Sequence, residues 1–364
     1  MAWYRHIEQD KKFRPDLINQ CFADRKSSIK NEAIFTRIAV SYNKAKKAQA
    51  KAADMYQVGS EWVHIYDNYM GEIVSALKSA DIGSINRIYN NFFRERCSVG
   101  LHGLPVNMFK NYFSGKVSRM HAKLFLKDAV YRHNLWDITV GKLNGIASLK
   151  GPLLGNPYGY YVDGTFIEAS AQYQHYYATM IGRLAKSGTH RTILELGGGF
   201  GGMAYYLMRD NTNLTYLDFD LPENFALTSF YLLSAFPDKK IALYGEVDLE
   251  TDDITAYDAV LMPNFEIEKV KDNTVDLVFN SYSLAEMSRE AVKNYFKVFN
   301  RVTNKFIYHV NHTKRGPMKA DEFPVDTDKY ELVYRAPALW NMALNPWMDE
   351  YECLYKHKQL EFRV

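Results

Sequence analysis

The sequence has little that would tie it to a membrane, to secretion or to a metal cluster. It contains no stretch of 18 or more apolar residues, so no transmembrane helix is expected. Its charged first 16 residues include no apolar signal core. The three cysteines, Cys21, Cys97 and Cys353, are far apart and odd in number, which argues against a disulfide framework or a zinc site. These absences predict a cytoplasmic protein without a bound metal.

Charge is divided unevenly along the chain. Residues 1–150 hold 24 Lys and Arg against 13 Asp and Glu, whereas residues 151–364 hold 21 against 29. The basic part is compatible with an anionic small-molecule or glycan substrate such as a nucleotide sugar, with a solvated helical surface, or with docking on the acidic part. No RNA- or DNA-binding motif accompanies it, so nucleic acid is not an expected partner.

The first 150 residues are predicted to form helices. Apolar residues recur at spacings of three and four over Ser60–Ala80, with Ser60 as the expected N-cap, and the pattern returns over Ser84–Arg96 and Lys116–Asn134. We predict a helical N-terminal domain, 1–150, that covers the substrate or mediates homo-oligomerisation.

An irregular loop rich in glycine and tyrosine is expected next, followed by a helix. Tyrosine rings stack on sugars and donate hydrogen bonds, which makes Tyr158, Tyr161 and Tyr176 candidate substrate-binding residues.

From residue 191 onward, predicted strands alternate with helices. Strands are expected at 192–196, 214–220, 241–244, 257–262, 275–280 and 305–310, with a closing antiparallel hairpin of 330–335 and 351–357. Helices are expected at Pro222–Ala235, which begins with a proline, and at Ser288–Phe299, with Ser288 as its cap. Alternating βαβ units imply a parallel sheet covered by helices on both faces. We therefore predict an α/β domain, 151–364, with a Rossmann-like sheet that is parallel apart from a final antiparallel strand, as is typical of class I methyltransferases.

A glycine-rich turn links the first two strands of this domain. The sequence ELGGGFGG, residues 195–202, lies between a strand and a helix, and Asp218 and Asp220 end the next strand about 20 residues later, where a ribose hydroxyl is commonly bound. The glycines also satisfy G-x-G-x-x-G, so an NAD(P)-dependent oxidoreductase is one alternative. Glu195 distinguishes the two, because its carboxylate would repel a pyrophosphate but suit the cationic S-adenosylmethionine (SAM). A non-catalytic scaffold with a vestigial cofactor fold is the other alternative.

The pattern Glu195-x-Gly197-x-Gly199-x-Gly201 resembles the first motif of class I SAM-dependent methyltransferases. Joined to Phe219-Asp220-Leu221-Pro222 it is similar to plant enzymes that methylate phenolic hydroxyls. Segments 156–167, 194–207, 236–246, 261–267 and 275–287 resemble the bacterial sugar O-methyltransferase family in the same order. The resemblance implies SAM, a sugar hydroxyl acceptor, and a role in polysaccharide or glycoconjugate synthesis.

Cofactor roles follow from this resemblance together with the chemistry of each residue. Glu195 and the three glycines would hold and accommodate the methionine end, and Asp220, or alternatively Asp218, would accept the ribose hydroxyls. Residues at the ends of the third and fourth strands would border the adenine and the methyl donor: Asn264, Phe265, Asn280 and Ser281.

Methyl transfer to a sugar hydroxyl calls for a general base, because the hydroxyl is too weak an acid to ionise at neutral pH. The plant-type enzymes use a histidine where this chain has Ala285, so the neighbouring Glu286 is the first candidate. His312, His309 and His175 are the others, and Asn311 is expected to contact the acceptor. No compact carboxylate pair predicts a magnesium site, and no metal is expected.

Overall fold

The computed structural model describes residues 11–26, 32–102, 104, 106–114, 117–186, 190–342, 345 and 347–360. Within these ranges no helix combines the length and apolar character needed to cross a membrane.

The first 150 residues are helical. The longer helices are α1 Glu32–Gln49, α2 Ser60–Ile65, α3 Gly71–Ser79, α4 Ile82–Tyr89, α5 Val106–Phe113 and α6 Arg119–Trp136. Helices α2 and α3 are joined by a π-helical turn at Tyr66–Met70. Helix α2 is capped by Gly59, so the expected N-cap at Ser60 is wrong by one residue. Asp81 caps α4 by accepting a hydrogen bond from the Ser84 amide.

The segment expected to be an irregular loop contains a β-hairpin instead. Strands β1 Gly159–Val162 and β2 Thr165–Glu168 pair antiparallel. Asp163 and Gly164 both have positive φ, 47° and 76°, as a two-residue Asp-Gly hairpin turn requires. That dipeptide was the local signal for the hairpin. The neighbouring glycines and prolines do not override it, because they lie outside the turn.

The remaining strands form one eight-stranded sheet. They are β3 Arg191–Leu196, β4 Leu214–Asp220, β5 Ile241–Leu243, β6 Ala259–Pro263, β7 Val275–Ser281, β8 Thr303–His312, β9 Tyr330–Pro337 and β10 Glu350–His357. Their order is β5-β6-β4-β3-β7-β8-β10-β9. Pairing is parallel from β5 to β8, and β10 is antiparallel to both β8 and β9. The predicted Rossmann-like fold with a final antiparallel strand is confirmed.

Four longer helices accompany the strands. They are α7 Ala171–Leu184, α8 Gly202–Asp210, α9 Pro222–Ala235 and α10 Arg289–Val302. Helix α9 begins with Pro222 at a position that needs no amide hydrogen, and α10 is capped by Ser288, both as predicted.

Alternate residues of the central strands enter two separate hydrophobic clusters. Ile193 and Tyr216 belong to one cluster, whereas Leu194 and Leu217 belong to the other. This alternation shows that both faces of the sheet are covered, as in other parallel sheets. The first cluster also contains residues of the N-terminal helices, such as Phe35, whose ring stacks on Phe230 of α9 at 5.8 Å. The predicted division into two domains at residue 150 stays a prediction.

Candidate functional site

A cavity of about 450 Å³ lies at the carboxyl ends of the central strands. This is the edge of an open α/β sheet where ligands bind. Seven of the residues singled out from the sequence line it: Glu195, Gly197, Gly199, Asp220, Asn264, Ser281 and Glu286.

The lining has two parts. The glycine-loop wall consists of residues 195–200, Gly202 and Asp220. The composite wall gathers residues from separate segments: Trp62, His102, Arg132, Tyr173, Tyr282, Glu286 and Asn341.

The glycine loop is tightly folded against the end of β4. Gly197, Gly199 and Gly201 have φ values of 81°, 64° and 87°, which other residues rarely adopt. A Cβ atom at Gly198 would lie 2.5 Å from Asp218 Oδ1. These positions therefore require glycine.

The backbone amides of the loop donate hydrogen bonds to other groups of the protein. Gly197 N donates to the Phe219 carbonyl at 2.9 Å, and Gly201 N donates to the Gly198 carbonyl at 3.0 Å. Gly198 N donates to Asp218 Oδ1 at 3.1 Å, and Gly199 N donates to Asp220 Oδ2 at 3.0 Å. A phosphate-binding loop directs such amides at its anion. Here two of them hold carboxylates instead.

Three acidic side chains lie close together beside this loop. Glu195 and Asp218 are direct partners across β3 and β4, and Asp220 follows on the same face of β4. Burial raises the pKa of Glu195 to about 8, even though the Tyr216 hydroxyl donates to its carboxylate at 2.6 Å. Burial also raises the pKa of Asp220 to about 6 and that of Asp218 well above its usual range. Burial thus favours the protonated forms in the free protein, and a positively charged ligand would stabilise the ionised forms of Glu195 and Asp220, which line the cavity.

Asp220 is well placed to hold a ligand hydroxyl as well as the loop. Its Oδ1 atom accepts hydrogen bonds from the Leu221 amide at 2.6 Å and from Asn224 Nδ2 at 3.1 Å. Asp218 lies behind the loop and does not line the cavity. The arrangement favours Asp220 over Asp218 for contact with a ligand.

Some of the other predicted cofactor residues line the cavity, and the rest support its lining from behind. Asn264 lines the cavity and donates to the Tyr295 hydroxyl at 3.2 Å, and Ser281 lines it with its hydroxyl against that of Tyr173. Asn280 lies beneath, where Nδ2 donates to the Leu196 carbonyl at 2.8 Å and fixes the end of β3. Gly201 packs against Thr228 behind the loop.

Phe265 does not line this cavity. It follows β6 in a short 3₁₀ helix, Asn264–Lys269, and its ring meets that of Tyr244 edge-on at 6.0 Å. It faces a second groove instead.

Of the four candidate bases, only Glu286 lines the cavity. It ends a short 3₁₀ helix, Ser283–Glu286, and its Oε2 atom accepts a hydrogen bond from Trp62 Nε1 at 3.0 Å. This contact joins the N-terminal helices to the loop after β7. It leaves the carboxylate half-buried at the cavity wall.

The three predicted histidines lie elsewhere. His309 is buried between Phe323 and Tyr355, and burial lowers its pKa to about 3. His175 accepts a hydrogen bond from Trp136 Nε1 at 3.0 Å, and burial lowers its pKa to about 4. His312 is the last residue of β8 and lies 3.7 Å from Asp349, outside the cavity lining. The structure does not bring the three histidines together, because His309 and His175 are buried in packed interiors and His312 is at the end of a different strand.

The predicted substrate-binding residues are also outside the cavity lining. Tyr158 is buried with its ring stacked on His102 at 5.6 Å, and the Tyr161 hydroxyl accepts from Arg25 at 3.2 Å. The Tyr176 hydroxyl donates to Glu352 at 3.3 Å. Asn311 is fully buried and donates to Asn280 Oδ1 at 2.9 Å, so it supports the residues behind the cavity.

The composite wall contains residues that sequence reasoning missed. His102 lies in an irregular segment with no periodic or motif signal, 3.9 Å from the buried Glu168. Burial lowers the pKa of His102 to about 3 and raises that of Glu168 to about 7. Arg132 bonds to Asn341 Oδ1 at 3.1 Å. Tyr282 has a φ of 66° directly after β7, an unusual backbone conformation of the kind found at functional sites.

One group of possible metal ligands occurs among the described residues, His312, Asp349 and Glu350. Asp349 already receives two hydrogen bonds from the Arg315 guanidinium, at 2.9 and 3.2 Å. That cation lowers the pKa of Asp349 to about 2 in spite of burial. The guanidinium therefore already balances the charge of this carboxylate.

Neither a family model nor a curated protein sequence matches the chain. Among solved structures, a small RNA methyltransferase is 9% identical over 51% of this chain and 25% of its own, with a TM-score of 0.36. Magnesium protoporphyrin IX methyltransferase from Synechocystis PCC 6803 is 9% identical over 51% and 81%, with a TM-score of 0.36. A geranyl diphosphate methyltransferase is 10% identical over 64% and 98%, with a TM-score of 0.37. These likenesses are too weak to indicate an acceptor. The assignment of the class I methyltransferase fold rests on the strand order of this chain's own sheet.

Proposed function

We propose that the protein is a SAM-dependent O-methyltransferase that acts on a sugar hydroxyl. The observation that carries the cofactor assignment is that two amides of the glycine loop donate hydrogen bonds to carboxylates of the protein. These amides are therefore not directed at a bound phosphate. Gly198 N and Gly199 N are held by Asp218 and Asp220, and Glu195 adds a third buried carboxyl. A dinucleotide would bring its pyrophosphate against these acids, which speaks against an oxidoreductase. The cationic SAM would stabilise the ionised forms of Glu195 and Asp220, which burial disfavours in the free protein.

The residues of the glycine-loop wall would bind the cofactor in an extended conformation along the strand ends. Asp220 would accept the ribose hydroxyls, and Asn264 would border the adenine. Glu195 would stabilise the positive charge of the methionine portion through the loop. When bound, SAM supplies a methyl group on a positively charged sulfur, which is a strong electrophile.

The composite wall would position the acceptor and remove its proton. Glu286 is the proposed general base, because it lines the cavity and one of its oxygens is fixed by Trp62. Tyr173 and Tyr282 give this wall an aromatic character that suits a sugar, while their hydroxyls are held by Ser281 and by Glu350. Holding the hydroxyl in line with the methyl group supplies the remaining rate enhancement through orientation.

A sugar acceptor is supported by these aromatic residues and by the resemblance of residues 156–287 to sugar O-methyltransferases. Arg132 in the same wall is compatible with an acceptor that carries negative charge, such as a nucleotide sugar or an anionic glycan. An enzyme with such an acceptor would act in the synthesis of a polysaccharide or glycoconjugate.

The experiment has two arms on the full-length protein. Calorimetric titration with S-adenosylhomocysteine (SAH) and with NADH, side by side, tests the cofactor. Transfer of an isotope-labelled methyl group to a panel of neutral sugars and nucleotide sugars tests the acceptor. Binding of NADH without binding of SAH would refute the proposal. Binding of SAH with methylation of a non-sugar acceptor would retain the cofactor and refute the sugar. Binding of SAH with no methyl transfer to any acceptor would favour a non-catalytic scaffold.

A further inference from the structure

A second groove, of about 610 Å³, lies next to the cofactor cavity. The turn at Asp54–Tyr56 contributes to both, since Met55 lines the cavity and Tyr56 lines the groove. Four lysines stand around the groove, Lys44, Lys47, Lys51 and Lys269. Nothing in the proposed methyl transfer uses these lysines.

The lysines concentrate positive charge that the protein neutralises only in part. Lys44 and Lys47 share one face of α1, and Lys51 follows in the turn that ends this helix. Lys269 comes from a different element, the 3₁₀ helix after β6, and its charge is balanced by Glu266, which also lines the groove and lies 2.9 Å from it. Within the described ranges of the chain, Lys47 and Lys51 make no ion pair with an acidic side chain. Like charges three or four residues apart destabilise a helix, so a bound anion would reduce the repulsion among these lysines.

The floor of the groove is apolar and partly aromatic. Phe265 is half-buried and lines the groove, where it is packed against Tyr244. Tyr56 also lines the groove, and its hydroxyl is fixed by Glu268 at 2.6 Å. A ring system can rest on this floor while anionic groups reach the lysines.

We infer that this groove binds a nucleoside diphosphate. The ammonium groups of Lys47 and Lys51 hold the diphosphate, together with Lys44, and Phe265 contacts the ring portion. The ligand is either a free nucleotide or the nucleotide part of a nucleotide-linked acceptor. The inference goes beyond the proposed methyl transfer and does not depend on it, because the groove and the cavity have separate charged residues.

The test measures binding of UDP to full-length protein saturated with SAH, by calorimetry at low and at moderate salt. UDP lacks adenine, and SAH fills the cofactor cavity, so the second site is measured alone. We expect the double variant K47E/K51E to weaken UDP binding roughly tenfold or more, since each change removes a charged hydrogen bond. The matched control K78E alters an exposed lysine of α3 outside the groove and leaves the UDP affinity unchanged. K47Q/K51Q gives a smaller loss than the charge reversal.

Equal UDP affinity in wild-type and K47E/K51E, or no UDP binding to wild-type at millimolar concentration, overturns the inference. So does competition between UDP and SAH, which would put the nucleotide in the cofactor cavity. Titration with UDP-glucose separates the two sources. If it binds and is methylated with a raised KM in K47E/K51E, the groove holds part of the acceptor, whereas UDP binding without methylation of UDP-glucose indicates a free nucleotide. SAH titration of the same variants reports independently on the proposed cofactor.

Discussion

The two walls of the cavity are built from the chain in contrasting ways. The glycine-loop wall comes from one short stretch, residues 195–220. This stretch contains the ends of two adjacent parallel strands with a turn and a helix between them, and it is rich in buried carboxyl groups. The composite wall takes single side chains from segments as distant as Trp62 and Asn341, and it includes Arg132. Under the proposed function, most of the cofactor contacts come from one βαβ unit, whereas selection of the acceptor would depend on how the N-terminal helices meet the sheet.

The largest expected effect is on the composite wall. Replacing Glu286 by Gln removes the proposed proton acceptor while keeping the hydrogen bond from Trp62, so kcat should fall by about 10²–10⁴. The affinity for SAH should stay unchanged, because the glycine-loop wall is intact. Methyl-transfer kinetics and calorimetry measure the two quantities. E290Q, in the exposed first turn of α10, is the control. If E286Q retains wild-type turnover, Glu286 is not the base, and His102 becomes the next cavity residue to test.

The next effect concerns the glycine-loop wall. Asp220→Asn keeps the size of the side chain but removes its charge, which weakens its bonds to Gly199 N and to a ligand hydroxyl. The affinity for SAH should fall by roughly 10- to 100-fold, as expected for loss of a charged hydrogen bond. Calorimetry measures it, with D238N in an exposed loop as control. An unchanged dissociation constant would show that Asp220 does not contact the cofactor.

The pH dependence of stability should report on Glu195. Burial raises the pKa of its carboxyl from an ordinary value of 4.5 to about 8 in the folded protein, so the folded state favours the protonated form. The stability contributed by that protonation is complete below about pH 4.5 and is lost as pH rises toward 8. The ligand-free protein should therefore melt at a lower temperature at pH 8 than at pH 6, by about 2–4 °C for each kcal/mol lost.

Glu195→Gln should flatten this pH dependence, because an amide does not ionise. Saturation with SAM should flatten it as well, since the bound cation stabilises the ionised carboxylate. Thermal melts at several pH values measure both effects. An equally steep decline in E195Q would assign the pH dependence to other groups, such as Asp220 or Glu168.

The smallest expected effect is at His312. Its ring lies near Asp349 and Tyr282 but does not line the cavity. His312→Asn should therefore change kcat by no more than about twofold, the range typical of substitutions away from special features. A large loss of turnover with unchanged SAH binding would mean that the end of β8 reaches the acceptor. The composite wall would then have to include His312.

Much of the sheet-containing part of the fold could be predicted because its signals are local. The helix Pro222–Ala235 was expected at its observed bounds, since Pro222 marks its start and apolar residues fill it. Buried parallel strands such as Val275–Ser281 appear as continuous apolar runs. The hairpin at Gly159–Glu168 was missed although its Asp163-Gly164 turn was visible, because the surrounding glycines and prolines suggested a loop.

The sequence by itself determined the glycine-loop wall. The glycines, Glu195 and Asp220 are placed by a strand, a turn and the next strand, whose geometry is fixed by backbone sterics and parallel pairing. Only the tertiary structure decided which distant side chains complete the cavity. His309 and His175 were plausible bases by sequence, but burial in the packed interior removes them from it. Trp62 and His102 reach it because the apolar faces of the N-terminal helices pack on the sheet domain, and that long-range packing leaves no mark in local sequence.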